Sequence, residues 1–497
     1  MPSELRAEVR RLNSTVLNYV NKHYGGVSSY EYYNIIQLWE DWWRGYYEPF
    51  HRFNFNNGLQ VIKRDLYSLK MAKKVCEDWA AILMNENTKA VIGDDKASEF
   101  IVGQKETSGV FGQNCFYEQA NRLVEKAFYG GTAAVTISLD GAVNNGDRLT
   151  ADDKTTVGLH YISADSIIPI SVHNGRITEA AFCSERIVNG KTYALVEIHK
   201  LNEHGNYVIY NRYFRTNNGV FAEEQLPDGM IEEFDTASSV PWFSILVPNI
   251  ENCIENNNGM GISVFAGAID ILKGIDIAFN NMVKDFELGQ KKVFMQRSLL
   301  ENLDDGTTVA PDDVCQQLFN YISESMGNEA QPFISEFNPT IRVQENKDGI
   351  QSLLDYLSFK CGLGNKHYQF NAGSIVTATQ YVGDKQDLIQ NAHKHYKTVE
   401  HFLITLIRSL IHIGNTYFGL GADEECDIKI EFDRSVLIDE ASERAQDMQD
   451  VRDGLMLPWE YRQKWYSESE DTARAKIEEI KGAEPADEEL MGFDGGA

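Results

Sequence analysis

The spacing of apolar positions changes along the chain, and each change marks a different kind of element. Leu66, Leu69, Ala72, Cys76, Trp79 and Leu83 recur at helical spacing and predict an amphipathic helix over 65–86. A second helix is predicted at 114–129, closed by Gly130-Gly131. From about 132 to 225 short β-rich runs alternate with turn pairs at Asn174-Gly175, Asn189-Gly190, Gly205-Asn206 and Asn218-Gly219, the pattern of an antiparallel meander. After Pro248 and the polar stretch Glu251–Asn258 the helical period returns. Ile262, Phe265, Ile269, Leu272, Ile275, Phe279, Met282, Val283 and Phe286 predict one helix of roughly 25 to 35 residues, about 40–50 Å long. A turn-rich stretch at 298–345 leads to a shorter helix at 347–361 and a glycine-containing break from Gly362 to Ser374. The longest helix begins near Thr377 and runs for about 40 residues. Its stripe, Leu388, Ala392, Tyr396, Val399, Leu403, Leu406, Leu410 and Ile413, keeps a helical step throughout.

Composition adds limits. With 497 residues, 43% hydrophobic and 24% charged, the chain can bury a large core and is long enough for several domains. Its net charge of −28 argues against a broad basic face that clamps nucleic acid, though not against DNA passing without being gripped. Residues 422–497 carry 23 acidic against 9 basic residues, so this stretch alone holds −14 of that excess. Its last fifteen residues read as frayed. Seven scattered cysteines with no C-x-x-C pair favour a reducing compartment and give no zinc signal. No apolar run reaches the roughly 20 residues of a membrane span, since Val399–Ile413 is broken by Glu400, His401, Arg408 and His412. With no signal peptide at the N-terminus, a soluble protein made inside the cell and free of membrane is expected.

The search for chemistry eliminates more than it finds. Gly190-Lys191-Thr192 resembles the end of a P-loop, but Glu185 stands where the first glycine is required. Gly259-Met260-Gly261 opens like a dinucleotide fingerprint, yet Val264 replaces its third glycine. His393 and His395 point to different faces of one helix and cannot share a metal by helical spacing, and no carboxylate completes a set with His393 and His401. Asp304-Asp305 and Asp312-Asp313 fall in turn-rich sequence, where solvated loops are the default. Ten aromatic residues between Tyr30 and Phe53 suit either a stacking platform or a core, and the core is the commoner use. These features predict an α+β assembly component with no cofactor and no metal, not an enzyme. The alternative is a carbohydrate-active enzyme using the aromatic cluster and two carboxylates about 5–9.5 Å apart.

Several ordered motifs resemble the portal proteins of tailed bacteriophages. The run Asn258-Gly259-Met260-Gly261-Ile262-Ser263 through Lys273-Gly274-Ile275-Asp276 is similar to the start of that family's stem helix, and Gly289-Gln290-Lys291-Lys292 to its glycine and basic pair. Lys360-Cys361-Gly362-Leu363-Gly364 through Thr377-Ala378-Thr379-Gln380 resembles the tunnel loop and the start of the long helix. Ile430-Glu431-Phe432-Asp433-Arg434-Ser435 and Asp453-Gly454-Leu455-Met456 follow in order, and Leu38-Trp39-Glu40-Asp41-Trp42-Trp43 resembles portals of siphophages of Gram-positive hosts.

The resemblance implies a ring, typically of twelve subunits, around a DNA channel. It implies a wing at 1–257, a first stem helix at 258–297, a clip at 298–345 and a second stem helix at 346–361. A tunnel loop at 362–376, a long helix spanning the ring at 377–418, a returning wing segment at 419–440 and a crown with an acidic tail at 441–497 complete it. Lys366, His367, Gln369, Asn371 and Ser374 are the residues expected to face the channel. Lys291, Lys292 and Arg297 form a small basic cluster expected near the end of the first stem helix, where it either complements the helix dipole or meets DNA or a motor. The implied partners are further copies of the chain, the large terminase subunit, a head-completion adaptor, the major capsid and scaffolding proteins, and double-stranded DNA in transit. The virion's portal vertex, with assembly in the host cytoplasm, is the implied location. Another ring or tube component of a virion fits less well, because those chains are usually much shorter.

Overall fold

The computed structural model describes residues 3–296, 319–322, 334–369, 378–433 and 440–483, apart from 57–60, 106, 145–148, 153, 189–190, 218–219, 228, 256, 467 and 469. The fold mixes helix and sheet throughout and divides into two compact units, 1–372 with 387–433, and 373–386 with 434–497.

The first unit opens with helices α1 (Ser3–Tyr24) and α2 (Tyr30–Trp43). Ser29 caps α2, its Oγ accepting the Tyr32 N–H at 3.2 Å, and the helix buries Tyr32, Ile36, Trp39 and Trp42. A short helix α3 (Glu48–His51) and the hairpin β1 (Arg52–Asn56) with β2 (Val61–Asp65) follow. Helix α4 covers Met71–Leu83, so the helix expected from residue 65 starts late. Lys70 adopts the left-handed backbone at φ +55, and the Leu69 N–H donates to the Asp276 carboxylate, so Leu66 and Leu69 lie on a strap before the helix. After β3 (Lys89–Ile92), α5 (Asp95–Ile101) and α6 (Gly109–Gln113) comes α7 (Phe116–Gly130), which ends where the sequence places it, at Gly131 with φ +80.

Strands β4 (Ala133–Asp140), β5 (Val143–Asn144), β6 (Leu149–Thr150) and β7 (Thr156–Ser163) begin the sheet region. The meander itself is β8 (Ile167–His173), β9 (Arg176–Val188), β10 (Lys191–Leu201), β11 (Tyr207–Asn217) and β12 (Val220–Glu224). These strands pair antiparallel in sequence order, with β13 (Glu233–Asp235) also on β11. Asn174 and Gly175 turn between β8 and β9 with positive φ at both positions, which is why that pair marks a hairpin. Asn189-Gly190 and Asn218-Gly219, outside the described residues, fall between the next strand pairs. Val16, Leu17 and Val20 of α1 cover one face, packing on Ile168, Ala181, Val196 and Phe214. Strand β14 (Phe243–Leu246) joins β4 and β7 in a separate antiparallel sheet.

Helix α8 is Ile269–Leu288, 20 residues and about 30 Å. The longer helix predicted from Ile262 is therefore not formed. Ile262, Val264 and Phe265 are buried, but their backbone is engaged elsewhere: the Gly261 N–H donates to Thr132 Oγ1 at 3.1 Å and the Val264 N–H to the Phe128 carbonyl at 2.9 Å. Strands β15 (Lys292–Gln296), β16 (Phe319–Ile322) and β17 (Ile334–Phe337) make a small mixed sheet. Arg297 and both acidic pairs of the turn-rich stretch lie outside the described residues. Helix α9 (Val343–Lys360) packs along α8, with Leu353 against Gly274. Helix α10 (Ala378–Phe418) has 41 residues, and all eight members of its stripe are buried. Strand β18 (Ile428–Glu431) returns to pair with β3.

The second unit holds α11 (Glu440–Arg452), α12 (Pro458–Tyr466) and α13 (Glu470–Ala483). Polar links tie these helices: Trp465 Nε1–H donates to Asp447 at 2.8 Å and Arg444 Nε–H to the Tyr461 hydroxyl at 3.1 Å. Residues 484–497, most of the expected acidic tail, lie outside the described residues.

Candidate functional site

Two polar knots fix the central helices of the first unit. Asp276, 4% exposed in the middle of α8, accepts the Leu69 N–H at 2.8 Å, the Ser68 hydroxyl at 2.9 Å and His51 Nε2 at 3.0 Å. His51 Nε2 faces the carboxylate as a donor, while Nδ1 lies 2.8 Å from the Tyr47 backbone nitrogen and 3.0 Å from the Tyr47 carbonyl oxygen. One turn on, Asn280 Oδ1 accepts the Tyr67 N–H at 3.4 Å. Together they clamp α8 to the strap before α4. Sequence reading gave Asp276 no role, although the signal was present: a carboxylate and an amide at i and i+4 interrupt the apolar face of a predicted helix.

The second knot holds the segment after α9 against α4. Gly362, Gly364 and Lys366 take positive φ, which bends the chain sharply. Trp79 Nε1–H donates to the Cys361 carbonyl at 3.0 Å and Asn391 to the Gly362 carbonyl at 3.1 Å. Asp78 accepts the Tyr368 hydroxyl at 2.9 Å, lies 3.4 Å from His367 Nε2 and pairs with Lys74. Burial pushes the Asp78 carboxyl up, but hydrogen bonds from His367, Lys74 and Tyr368 outweigh it and hold it below the usual range. Of the residues expected to face a channel, Lys366 and Gln369 stand exposed while His367 is partly covered and anchored to α4. Asn371 and Ser374 lie outside the described residues.

The basic cluster is arranged differently from its sequence reading. Helix α8 stops at Leu288, so Lys291 and Lys292 lie beyond its last turn, with Lys292 opening β15. Lys291 pairs with Glu336 at 2.7 Å.

His395 is buried in α10. Its Nδ1 accepts the Asn249 N–H at 3.1 Å, and its ring meets Trp79 and Phe128 edge to face. Burial, with Lys394 nearby, lowers its pKa from 6.5 to about 3. The unfolded chain takes up this proton below about pH 6.5 and the folded chain does not, so folding stability falls as pH drops through the window from about 6.5 to about 3. Urea midpoints measured from pH 7 to pH 4.5 are expected to fall more steeply for the wild type than for His395→Gln. Equal slopes would remove His395 as the source.

The aromatic cluster is spent on structure. Tyr32, Trp39 and Trp42 are buried, Trp43 stacks on Tyr129 at 4.5 Å, and of the ten only Tyr30 stands exposed. This removes the platform behind the carbohydrate alternative. Among the described residues no three His, Cys, Asp or Glu side chains gather closely enough to hold a metal ion, and no helix is long and apolar enough to cross a membrane.

The sequence matches the family model described as phage portal protein, SPP1 Gp6-like, over residues 30–489. No curated protein matches it. Among solved structures it is similar to a chain of the neck of a native GTA particle computed with C12 symmetry, at 10% identity and a TM-score of 0.41, covering 79% of this chain and 88% of that one. Because the family match runs from the start of α2 to beyond the end of α13, the chain belongs to the SPP1 Gp6-like family of phage portal proteins.

Proposed function

We propose that copies of this chain close into a ring, typically of twelve, at one capsid vertex, forming the channel through which DNA is packaged and ejected. The family match over nearly the whole sequence carries this reading. The meander and N-terminal helices would be the wing, α8 and α9 the paired stem helices, the small β15–β17 sheet part of the clip, and α10 the helix across the ring. The pairing of β18 with β3 supports assigning 419–440 to the wing, and α11–α13 would form the crown. The ring would serve the large terminase subunit and then a head-completion adaptor as a docking platform. It would sit among major capsid and scaffolding proteins after assembly in the host cytoplasm, and would hydrolyse no ATP itself.

A conduit must not hold the DNA it passes, since each lysine or arginine on a phosphate adds affinity through counterion release. A charge of −28 per subunit fits a channel wall that repels. Lys366, His367, Gln369, Asn371 and Ser374 are assigned to the channel side of the tunnel loop. Because His367 also anchors to Asp78, Lys366→Glu is the cleaner probe: rings should form normally while packaged DNA shortens or is poorly retained. Unchanged packaging by particles carrying Lys366→Glu sinks the channel assignment. Lys291, Lys292 and Arg297 are assigned to motor docking. The exposed Lys291–Glu336 pair contributes at most about 1 kcal/mol to stability, so the triple alanine variant should keep its melting temperature and lose terminase binding. Retained binding returns the cluster to a purely structural role.

The ring itself is tested by negative-stain microscopy with native mass on the purified chain. Annular particles near twelve times 56.3 kDa are expected, and a strictly monomeric chain counts against the reading.

A further inference from the structure

A cleft of about 490 Å³, within the size range of small-molecule sites, lies in the first unit between the segment leading into α8, the end of α9 with the bend after it, and α10. His395 lines it. Its side chain belongs to a residue only 2% exposed, and because Nδ1 accepts the Asn249 N–H, the proton of the neutral ring sits on Nε2. Among the described residues no hydrogen bond reaches that Nε2, so a buried donor stands without a protein acceptor. With its pKa lowered to about 3 by burial, the ring is a neutral donor at pH 7. Lys360 and Lys394, both exposed, line the same cleft, and neither pairs with a carboxylate among the described residues. Asp387 is the one acid in the lining, so cations lead two to one in a chain where acids lead 74 to 46. Helix α8 starts beside them with no side chain capping its first turn, which adds the positive end of its dipole.

These groups call for an anion, and the rest of the lining calls for something more. Phe359, 58% exposed, brings an aromatic ring to the same cleft, with Ile250 and Ile262 also in its walls. A flat apolar group attached to a phosphate answers both demands, since bases stack on aromatic side chains and phosphates take N–H donors and ammonium groups. We infer that this cleft binds a nucleotide with an unpaired base, its phosphate toward His395, Lys360 and Lys394 and its base against Phe359. A duplex keeps its bases stacked on one another, so the source is either a free nucleotide or a single strand.

The test is calorimetric titration of the purified chain with dAMP and with a short single-stranded oligonucleotide. Deoxyadenosine and inorganic phosphate serve as the two halves of the ligand. A free-nucleotide site binds dAMP with Kd below about 1 mM and each half at least about tenfold more weakly. A single-strand site binds the oligonucleotide in that range and dAMP more weakly. In either case Lys360→Glu with Lys394→Glu should weaken the better ligand by about tenfold or more. Phe359→Ala should weaken it by about fivefold or more, the loss of one stacked base. All three side chains are exposed, so the melting temperature should not move. Failure of both ligands to bind overturns the proposal. Binding that the charge reversal leaves unchanged places the ligand elsewhere and overturns it too. Inorganic phosphate binding as tightly as dAMP, on the unmodified chain, removes the base from the cleft and has the same consequence. None of these outcomes depends on ring formation, so the ring reading stands or falls separately.

Discussion

Asp276→Ala is expected to destabilise the first unit by about 3–5 kcal/mol, the range for removing one partner of a buried pair. The size follows from what is stranded. The Leu69 N–H, the Ser68 hydroxyl and the His51 Nε2–H all converge on one carboxylate, with His51 fully buried and Asp276 4% exposed. Alanine leaves three donors facing a void that water does not readily enter. Asp276→Asn should cost less, because its carbonyl oxygen still accepts the Leu69 N–H while its amide opposes the other two donors. Denaturant titration of the two variants gives the ranking directly. A cost below about 0.5 kcal/mol for the alanine variant, the ordinary range for surface positions, contradicts the clamp.

Gly131→Ala should be comparably severe for a different reason. Gly131 closes α7 at φ +80, and a Cβ there would stand 2.1 Å from the Gly261 carbonyl oxygen. The three nearest atoms, the Gly261 carbonyl oxygen and carbon and the Ile262 nitrogen, are all backbone, so no side chain can swing aside. The left-handed conformation contributes roughly 1–2 kcal/mol and the overpacking about 1–3 more, for about 2–5 in total. Gly175→Ala is the matched control: its φ is +73, but nothing lies within 4 Å of the added Cβ. Only the conformational part should appear there. Equal losses at the two positions, measured by thermal denaturation, would mean that α7 and the segment leading to α8 are not in close contact. The same contact explains Gly261, whose own Cβ would meet the Gly131 oxygen at 2.4 Å, whereas Gly259, the other glycine of the apparent nucleotide fingerprint, has φ +69 and lies against the Ile177 and Val172 side chains.

These two sites also mark where sequence reading succeeded and where it stopped. The stripe on α10 was legible because its apolar step is unbroken and the helix uses it whole. The first hairpin of the meander was legible because Asn174-Gly175 states its turn locally, with positive φ at both positions. The starts of α4 and α8 were misread for one shared reason. Leu66 and Leu69, like Ile262 and Phe265, continue a helical spacing into segments whose backbone donors are taken by distant partners, Asp276 in one case and Thr132 and Phe128 in the other. Periodicity reports which side chains are buried, and it is silent about where the amides bond. Lys366 and His367 could be nominated only through the resemblance to a tunnel loop, and the attachment of His367 to α4 needed the fold.

Strand β3 has β18 as its partner, Ile92 meeting Ile428. During synthesis, the early strand leaves the ribosome long before the late one exists. Until then Lys89–Ile92 lacks the neighbour that completes it, and an open strand edge is an invitation to wrong partners. A product broken off before residue 428 never acquires that neighbour. The pairing is therefore met only by chains translated past residue 431.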